Sequence, residues 1–258
     1  MAAPAAPQLT VEHRQTLVKA STAISNKLGA RINRLANSNT VPDFYEALNA
    51  VVYLTSSACS LSYVSREARM ASFVRVGWDN RSGVSGGGQT AEDMAECGFY
   101  SLGDADHVKC FFCDLGLRDW IRGDSPEREH AKFSPLCFYL KSCLGLDGLQ
   151  AVTPQTTNYP ASYTRQDHNQ LMRTIGEDFC GPVGRVACGV GLDDTKVLLA
   201  LARNFIRFRK RYSAKELILS AQSEWQRELL NNPSDPPQFL SGFNLAAVFR
   251  EFYRIIAS

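Results

Sequence analysis

Residues 110–137 have the sequence CFFCDLGLRDWIRGDSPEREHAKFSPLC, and four side chains within this stretch decide the fold. Two residues separate Cys110 from Cys113, sixteen separate Cys113 from His130, and six separate His130 from Cys137. Three thiolates and one imidazole form a closed tetrahedral shell for one structural Zn²⁺. Because a closed shell leaves no position for a reactive water, we expect the metal to stabilise the fold.

The composition of the 258-residue chain is that of an ordinary globular protein, with 45% hydrophobic and 21% charged residues. The net charge of +2 does not demand a polyanionic partner. No apolar run approaches the roughly 20 residues of a membrane span, and residues 1–8 lack the pattern of a signal peptide. We therefore expect an intracellular protein, cytoplasmic or nuclear, whose five further cysteines are free thiols.

The patterning along the chain predicts a small zinc-centred unit between two helical regions. Residues 1–8 are rich in Ala and Pro and predict a disordered tail. Residues 9–65 predict a helical segment, with one amphipathic helix over 10–36 and a second helix from about Pro42. Residues 147–190 are polar and contain several glycines, which predicts a loop or linker. Residues 191–258 predict a helical C-terminal region of three helices.

Residues 66–146 predict the zinc domain itself. Short β-like pieces lie around 98–102, 107–112 and 116–121, and Ser125-Pro126 is typical of a helix start. His130 would lie on that short helix, and Cys137 would open the next one. The fold class is therefore α+β: a three-stranded sheet with helices, embedded between N- and C-terminal helical segments.

The residues around the four ligands resemble the BIR domain, the baculoviral repeat that forms the zinc module of inhibitor-of-apoptosis proteins. The resemblance covers roughly residues 66–143 and rests on the ligand spacing together with these matches: Arg69, Phe73, Cys97-Gly98-Phe99-Tyr100, Gly103, Asp106, Val108-Lys109-Cys110-Phe111, Trp120 and Glu129-His130-Ala131. The compact form without a RING module resembles single-BIR members of the family, viral ones among them.

The resemblance implies a groove that binds a peptide beginning with a free N-terminal Ala. The peptide would lie along the third strand, at Gly116, Leu117 and Arg118. Trp120 would form an aromatic wall, Asp124 and Glu129 would hold the ammonium group, and Phe133 would close the far side. Bound proteins would include caspases or their antagonists. A packed Trp120 and a helix-capping Asp124 are the structural alternatives.

Two functions from different classes remain open. The first is an inhibitor or adaptor that modulates apoptosis without enzyme activity, since only Cys180, Cys188 and His168 follow Cys143 and a RING module needs more ligands. The second is a structural protein, for example a virion component, in which the BIR fold serves as a packing block in an oligomer.

A basic cluster in the C-terminal region raises the question of nucleic-acid binding. It consists of Arg203, Arg207, Arg209, Lys210, Arg211 and Lys215. The interleaved aromatic residues have helical spacing, which favours a core face with solvated bases over a nucleic-acid interface.

Overall fold

The computed structural model describes residues 9–38, 40–80, 88–152, 165–208, 211–231 and 242–257. The predicted disordered tail at residues 1–8 lies outside these ranges, as do residues 153–164 of the predicted linker. None of the helices in the described ranges combines the length and apolar character needed to cross a membrane.

The chain divides into two compact units. The first contains residues 1–20, 32–56 and 162–258, and the second contains residues 21–31 and 57–161. The helices and strands, in chain order, are α1 (Val11–Ile24), α2 (Asn26–Ala36), α3 (Val41–Ser57), α4 (Arg66–Arg75), α5 (Ala91–Glu96), β1 (Phe99–Ser101), β2 (Val108–Cys110), β3 (Gly116–Leu117), α6 (Pro126–Phe133), α7 (Phe138–Val152), α8 (Arg165–Cys180), α9 (Pro182–Gly189), α10 (Asp194–Phe208), α11 (Ala214–Asn231) and α12 (Leu245–Ala257).

The second unit contains the sheet predicted from the sequence. The three strands are antiparallel in the order β1-β2-β3, with Phe99 opposite Cys110 and Lys109 opposite Gly116. Helices α4 and α5 pack on β1, and α6 packs on α7. The predicted α+β fold class, mostly helical with a small sheet in the zinc region, is confirmed.

Capping residues start two helices of the second unit, and the start of α6 is the predicted one. Ser125 accepts a hydrogen bond from the Arg128 N–H at 3.4 Å, and Pro126 occupies the first turn of α6. Thr90 and Asp93 form a reciprocal capping box at the start of α5. Helix α7 is interrupted at Gly145, whose φ of 72° is left-handed.

The single helix predicted over residues 10–36 is wrong, because the structure divides it at Ser25. The Ser25 hydroxyl accepts the Leu28 N–H at 3.1 Å and donates to the Glu96 carboxylate at 2.6 Å. The Lys27 N–H also donates to Glu96, at 2.7 Å. Ser25 thus starts α2 as a capping residue while it is tied to α5, a contact that periodicity does not reveal.

The linker predicted over residues 147–190 is also wrong where the structure describes it. Helices α8 and α9 occupy most of its second half and pack against each other and against α10. Gly176, Gly181 and Gly184 in this stretch are positions of close approach, whereas a Cβ at Gly189 would have no neighbour within 4 Å. A Cβ at Gly176 would lie 2.1 Å from the Tyr253 ring of α12, so only glycine fits there.

The first unit is a helical assembly with an aromatic core. Phe179 of α8 packs edge-on against Phe249 of α12, with ring centroids 6.0 Å apart. Phe44 of α3 packs against Phe252 of α12 at 5.8 Å. The helices predicted for residues 191–258 are confirmed as α10, α11 and α12.

Candidate functional site

The structure brings the four predicted metal ligands together in the second unit. Cys110 ends β2, Cys113 follows in the next turn, His130 lies on α6, and Cys137 directly precedes α7. Their ligand atoms all lie within 4.8 Å of one another, and the Cys113 Sγ is 3.4 Å from the His130 Nε2. With Zn–S bonds of about 2.3 Å, tetrahedral geometry places sulfur atoms about 3.8 Å apart. The four side chains could therefore hold one metal ion, and the donor set suits zinc.

A hydrogen bond to the backbone orients the histidine. The His130 Nδ1 lies 3.0 Å from the carbonyl oxygen of Cys97, which can only accept, so Nδ1 carries the hydrogen. Nε2 then presents its lone pair to the thiols. The Phe99 ring packs against the imidazole with centroids 4.8 Å apart and limits its rotation. Such a partner behind the ligand is typical of histidines that bind a metal.

A tight turn after β2 positions the first two cysteines. The Phe112 N–H donates to the Cys110 Sγ at 3.4 Å, and the Asp114 N–H donates to the Cys110 carbonyl at 3.1 Å. Asp114 has a φ of 65°, in the left-handed region that Asp tolerates better than most residues. The turn directs both sulfurs to one side while the amide stabilises thiolate charge.

Burial makes this cluster a strong cation site. Cys110, His130 and Cys137 are almost completely buried. Hydrogen bonds from Cys110 and Cys137 lower the pKa of Cys113 far below its usual value, whereas burial raises the pKa of Cys137. Burial acts to lower the pKa of His130, but the neighbouring thiols Cys110 and Cys113 outweigh it and raise the pKa to about 10. A divalent cation can replace these protons and neutralise several thiolates at once.

The third strand lies at the edge of the sheet. Within the described residues, β3 pairs only with β2, through Val108 opposite Leu117 and Lys109 opposite Gly116. The other edge of β3 can therefore accept an added strand. Gly116 is exposed, but a Cβ there would lie 3.2 Å from the His107 Nε2. Gly116 thus also leaves room for the His107 side chain, just before β2.

The comparison with known families agrees with this geometry. The model of the BIR family, the Inhibitor of Apoptosis domain, matches residues 69–141. Residues 69–141 are a BIR domain. The matched range contains all four ligands and the three strands.

Curated relatives of the BIR domain come from animals and from a virus. Baculoviral IAP repeat-containing protein 3 of Canis lupus familiaris is 32% identical over 186 residues, which cover 69% of this chain and 29% of the relative. Baculoviral IAP repeat-containing protein 7 of Xenopus tropicalis is 50% identical over 54 residues, 21% of this chain and 15% of the relative. E3 ubiquitin-protein ligase IAP-3 of Orgyia pseudotsugata multicapsid polyhedrosis virus is 35% identical over 97 residues, 38% of this chain and 34% of the relative. The chain spans about a third or less of the length of these three relatives.

Trp120, predicted as the aromatic wall of the groove, is largely packed in the BIR core. It is 7% exposed, and its ring meets Phe99 edge-on at 6.0 Å. Its backbone N–H donates to the Asp106 carboxylate at 2.8 Å. Its indole Nε1 is buried and has no acceptor among the described residues. Trp120 can thus offer a ligand only a small part of its ring.

The two acids predicted to hold an ammonium group already have partners inside the BIR domain. Asp124 accepts the Ile121 N–H at 3.0 Å, a turn contact rather than the helix cap considered from the sequence. Glu129 pairs with Lys132 at 3.1 Å. Phe133 is 56% exposed and has the Lys132 ammonium 4.8 Å from its ring centre. Arg118 is exposed as well, next to Asp119.

Three charged residues of this unit have a burial or backbone conformation that the sequence does not reveal. Asp119 has a side chain that is 88% exposed and a φ of 63°, and it directly precedes Trp120. Arg69 and Glu96 are buried, and they bind backbone groups.

The basic cluster of the first unit is partly paired within the protein. Arg211 contacts Glu177 at 2.8 Å and Asp178 at 3.3 Å, and Arg203 donates to the Ser56 carbonyl at 3.3 Å. Residues 209 and 210 lie outside the described part of the chain. The contacts of Arg203 and Arg211 stabilise the first unit, and the preference for a solvated helix face over a nucleic-acid interface stays a prediction.

Proposed function

We propose that the BIR domain is a non-catalytic docking module, stabilised by one Zn²⁺, that binds peptides with a free N-terminal Ala. Through such peptides the protein would engage caspase-related partners or their antagonists and modulate apoptosis inside the cell. The observation that carries the proposal is the edge of β3 at Gly116–Leu117, which pairs with no strand other than β2 among the described residues.

The edge of β3 supplies the affinity that is independent of sequence. An added peptide strand would exchange main-chain hydrogen bonds with the unpaired groups of Gly116 and Leu117. Phe133, which is 56% exposed, would offer apolar area to a small side chain such as that of Ala.

The carboxylates supply selectivity for a free N-terminus. Asp124 and Glu129 each keep acceptor capacity beyond their single contact, because a carboxylate has about four acceptor positions. A charge-assisted bond from an ammonium group contributes about 1.5–3 kcal/mol. Asp119 adds a third, almost fully exposed carboxylate to the same stretch.

Fluorescence polarisation with an Ala-initiated tetrapeptide tests the proposal. We expect saturable binding, and we expect N-acetylation of the same peptide to weaken it at least tenfold, since acetylation removes the ammonium charge. Glu129→Ala should weaken binding about tenfold, whereas Glu67→Ala, an exposed acid on α4, should leave it unchanged. Equal binding of the acetylated peptide, or no binding at high micromolar concentration, refutes the proposal.

The absence of catalysis is part of the same proposal. The cluster supplies four protein ligands, so a bound zinc ion has no open position for water. A ubiquitin-discharge assay with the purified chain should show no transfer above background, and robust transfer would contradict the proposal.

A structural role in an assembly is the second candidate, and exposed apolar side chains of the BIR domain favour it. Ile121, Phe133 and Leu136 are all exposed. Sedimentation velocity separates the two functions. A monomer that binds the Ala peptide supports the docking module, and a stable oligomer that ignores the peptide supports the assembly protein.

A further inference from the structure

The outer face of β2 and β3 carries basic side chains around a glycine. Lys109 lies opposite Gly116, so the two residues belong to the same face of the sheet. A Cβ at Gly116 would lie 3.2 Å from the His107 Nε2, so the imidazole lies on this face as well. Arg118 follows Gly116 by two residues, and the alternation of a strand gives it the same face. Three basic side chains therefore border the position of β3 that has no side chain.

Burial separates this outer face from the core face of the sheet. Val108 and Leu117 lie opposite each other, Val108 fully buried and Leu117 half-buried, and they form the core side. Gly116 is exposed, and the Arg118 side chain is 73% exposed. Solvent, or a ligand, can therefore reach the basic side chains of the outer face.

One row of the outer face runs across the three strands. Tyr100 of β1 lies opposite Lys109, and Lys109 lies opposite Gly116. Tyr63 stacks on Tyr100 with 3.8 Å between the ring centroids, and Tyr100 is only 7% exposed. The row is thus covered at β1, whereas at β3 it ends on the edge that can accept an added strand.

The acids that contact these cations hold them weakly. Lys109 pairs with Asp114 at 2.8 Å, and the Asp114 side chain is 51% exposed. The Arg118 Nε lies 3.7 Å from Asp119, whose side chain is 88% exposed. Exposed ion pairs contribute little to stability, and 3.7 Å is longer than a hydrogen bond, so Arg118 keeps donors for another carboxylate.

A peptide strand added at the edge of β3 would extend this row by one residue. The peptide residue opposite Gly116 would place its Cβ about 4.5–5.5 Å from the glycine, on the outer face. Since Gly116 has no side chain, the peptide side chain could extend over it towards Lys109, with Arg118 and His107 on either side. A carboxylate suits that position, because pairs of opposite charge on neighbouring strands are favourable and pairs of like charge are not.

We propose that the edge of β3 selects peptides with an acidic side chain at the residue paired with Gly116, where Lys109, Arg118 and His107 contact the carboxylate. The inference rests on the proposed function, because the same peptide would bind through its N-terminal Ala. It adds a requirement for a second charge of opposite sign, at a fixed position of the peptide.

Fluorescence polarisation with paired peptides measures this preference on the zinc-loaded chain. The probes are Ala-initiated tetrapeptides with Glu or Gln at position 2, 3 or 4 and Ala elsewhere, each labelled at the C-terminus. Glu and Gln have nearly the same shape, so the ratio of their Kd values reports the charge. We expect the Glu peptide to bind about fivefold tighter at the position that pairs with Gly116, and we expect added salt to reduce this ratio.

Three variants test the charge argument in both directions. Arg118→Glu should reverse the preference in favour of Gln, a result that a misfolded variant cannot produce. Asp114→Asn should increase the preference for Glu about twofold, because it releases Lys109, and Asn tolerates the φ of 65° at this position. The matched control is Arg75→Glu on α4, which packs on β1 at the opposite edge of the sheet and should leave the ratio unchanged.

Any of three results overturns the inference: Glu and Gln peptides of equal affinity at all three positions, an unreversed preference in Arg118→Glu, or an unchanged one in Asp114→Asn. N-acetylated copies of the peptides separate the inference from the proposed function. Binding that acetylation weakens but that shows no Glu preference refutes only the inference. A Glu preference in peptides whose affinity acetylation leaves unchanged refutes only the recognition of a free N-terminus, and no binding by any peptide refutes both.

Discussion

Replacement of Arg69 by Met should severely destabilise the BIR unit, although Arg69 is not a metal ligand. Its guanidinium group is completely buried and lies over the Phe111 ring, with 4.6 Å between Cζ and the ring centre. It donates to four backbone carbonyls: those of Ala95 at 2.8 Å, Tyr63 at 2.9 Å, Val64 at 2.8 Å and Ile24 at 2.5 Å. Arg69 thus joins α4, α5, the turn at Leu61–Tyr63 and the end of α1.

The magnitude follows from the carbonyl groups that lose their donor. Each buried carbonyl left without a partner costs about 1–3 kcal/mol. The Ala95 carbonyl keeps the Gly98 N–H at 3.1 Å, so the other three carbonyls cost at least about 3 kcal/mol. The lost cation–π contact adds about 1 kcal/mol. Relief from burying a charge without a carboxylate partner offsets part of this. Methionine fills a similar volume, so the cavity left behind is small. We therefore expect a net loss of about 3 kcal/mol.

Urea denaturation of the zinc-loaded protein measures this loss. In a Trp225→Phe background, tryptophan fluorescence reports on Trp78 and Trp120, both in the second unit. With a slope of about 2 kcal/mol per molar urea, the midpoint should fall by about 1.5 M. Arg75→Met, on the exposed end of the same helix, should change stability by less than about 0.5 kcal/mol. A loss below about 1 kcal/mol for Arg69→Met would refute the assignment of Arg69 as the donor that organises this core.

Three further predictions concern single positions of the BIR unit. Gly98→Ala should lower the free energy of unfolding by about 2–4 kcal/mol, because φ is 90° and the new Cβ would lie 2.7 Å from the Tyr139 ring; an unchanged Tm contradicts this. Burial raises the pKa of the Cys143 thiol to about 11. The thiol's contribution to the free energy of unfolding is therefore complete below pH 9 and falls by about 3 kcal/mol as the pH rises towards 11. Denaturation measured against pH should show this decline, and Cys143→Ala should abolish it. Cys137→Ser should lose stoichiometric zinc in elemental analysis, while Cys59→Ser, an exposed thiol, should keep it; equal zinc in both variants would remove Cys137 from the ligand set.

Local signals explain why parts of the fold could be predicted. The start of α6 depends on Ser125 and Pro126, which act within one turn. The strands β1, β2 and β3 lie within the predicted β-like stretches, although each is shorter than its stretch. These features depend on neighbouring residues, so a linear pattern is enough to locate them.

Contacts between distant residues explain the errors. The division of the first helix depends on Ser25 and Glu96, which are far apart in the sequence. The stretch taken for a linker contains Gly176 and Gly184, where close packing excludes any side chain. Composition describes a glycine-rich stretch equally well as a hinge or as a tight helix contact, and only the packed neighbour decides between them.

The amino-acid sequence by itself determined the ligand set, because a tetrahedral shell needs a small set of residue types at spacings that one turn and one short helix provide. The resemblance of the surrounding residues to the BIR family then indicated the fold around it. The tertiary structure alone decided that Arg69 is buried and that Trp120 is mostly core. Burial and the pairing of charges depend on which distant elements pack together, and that packing is a property of the folded chain.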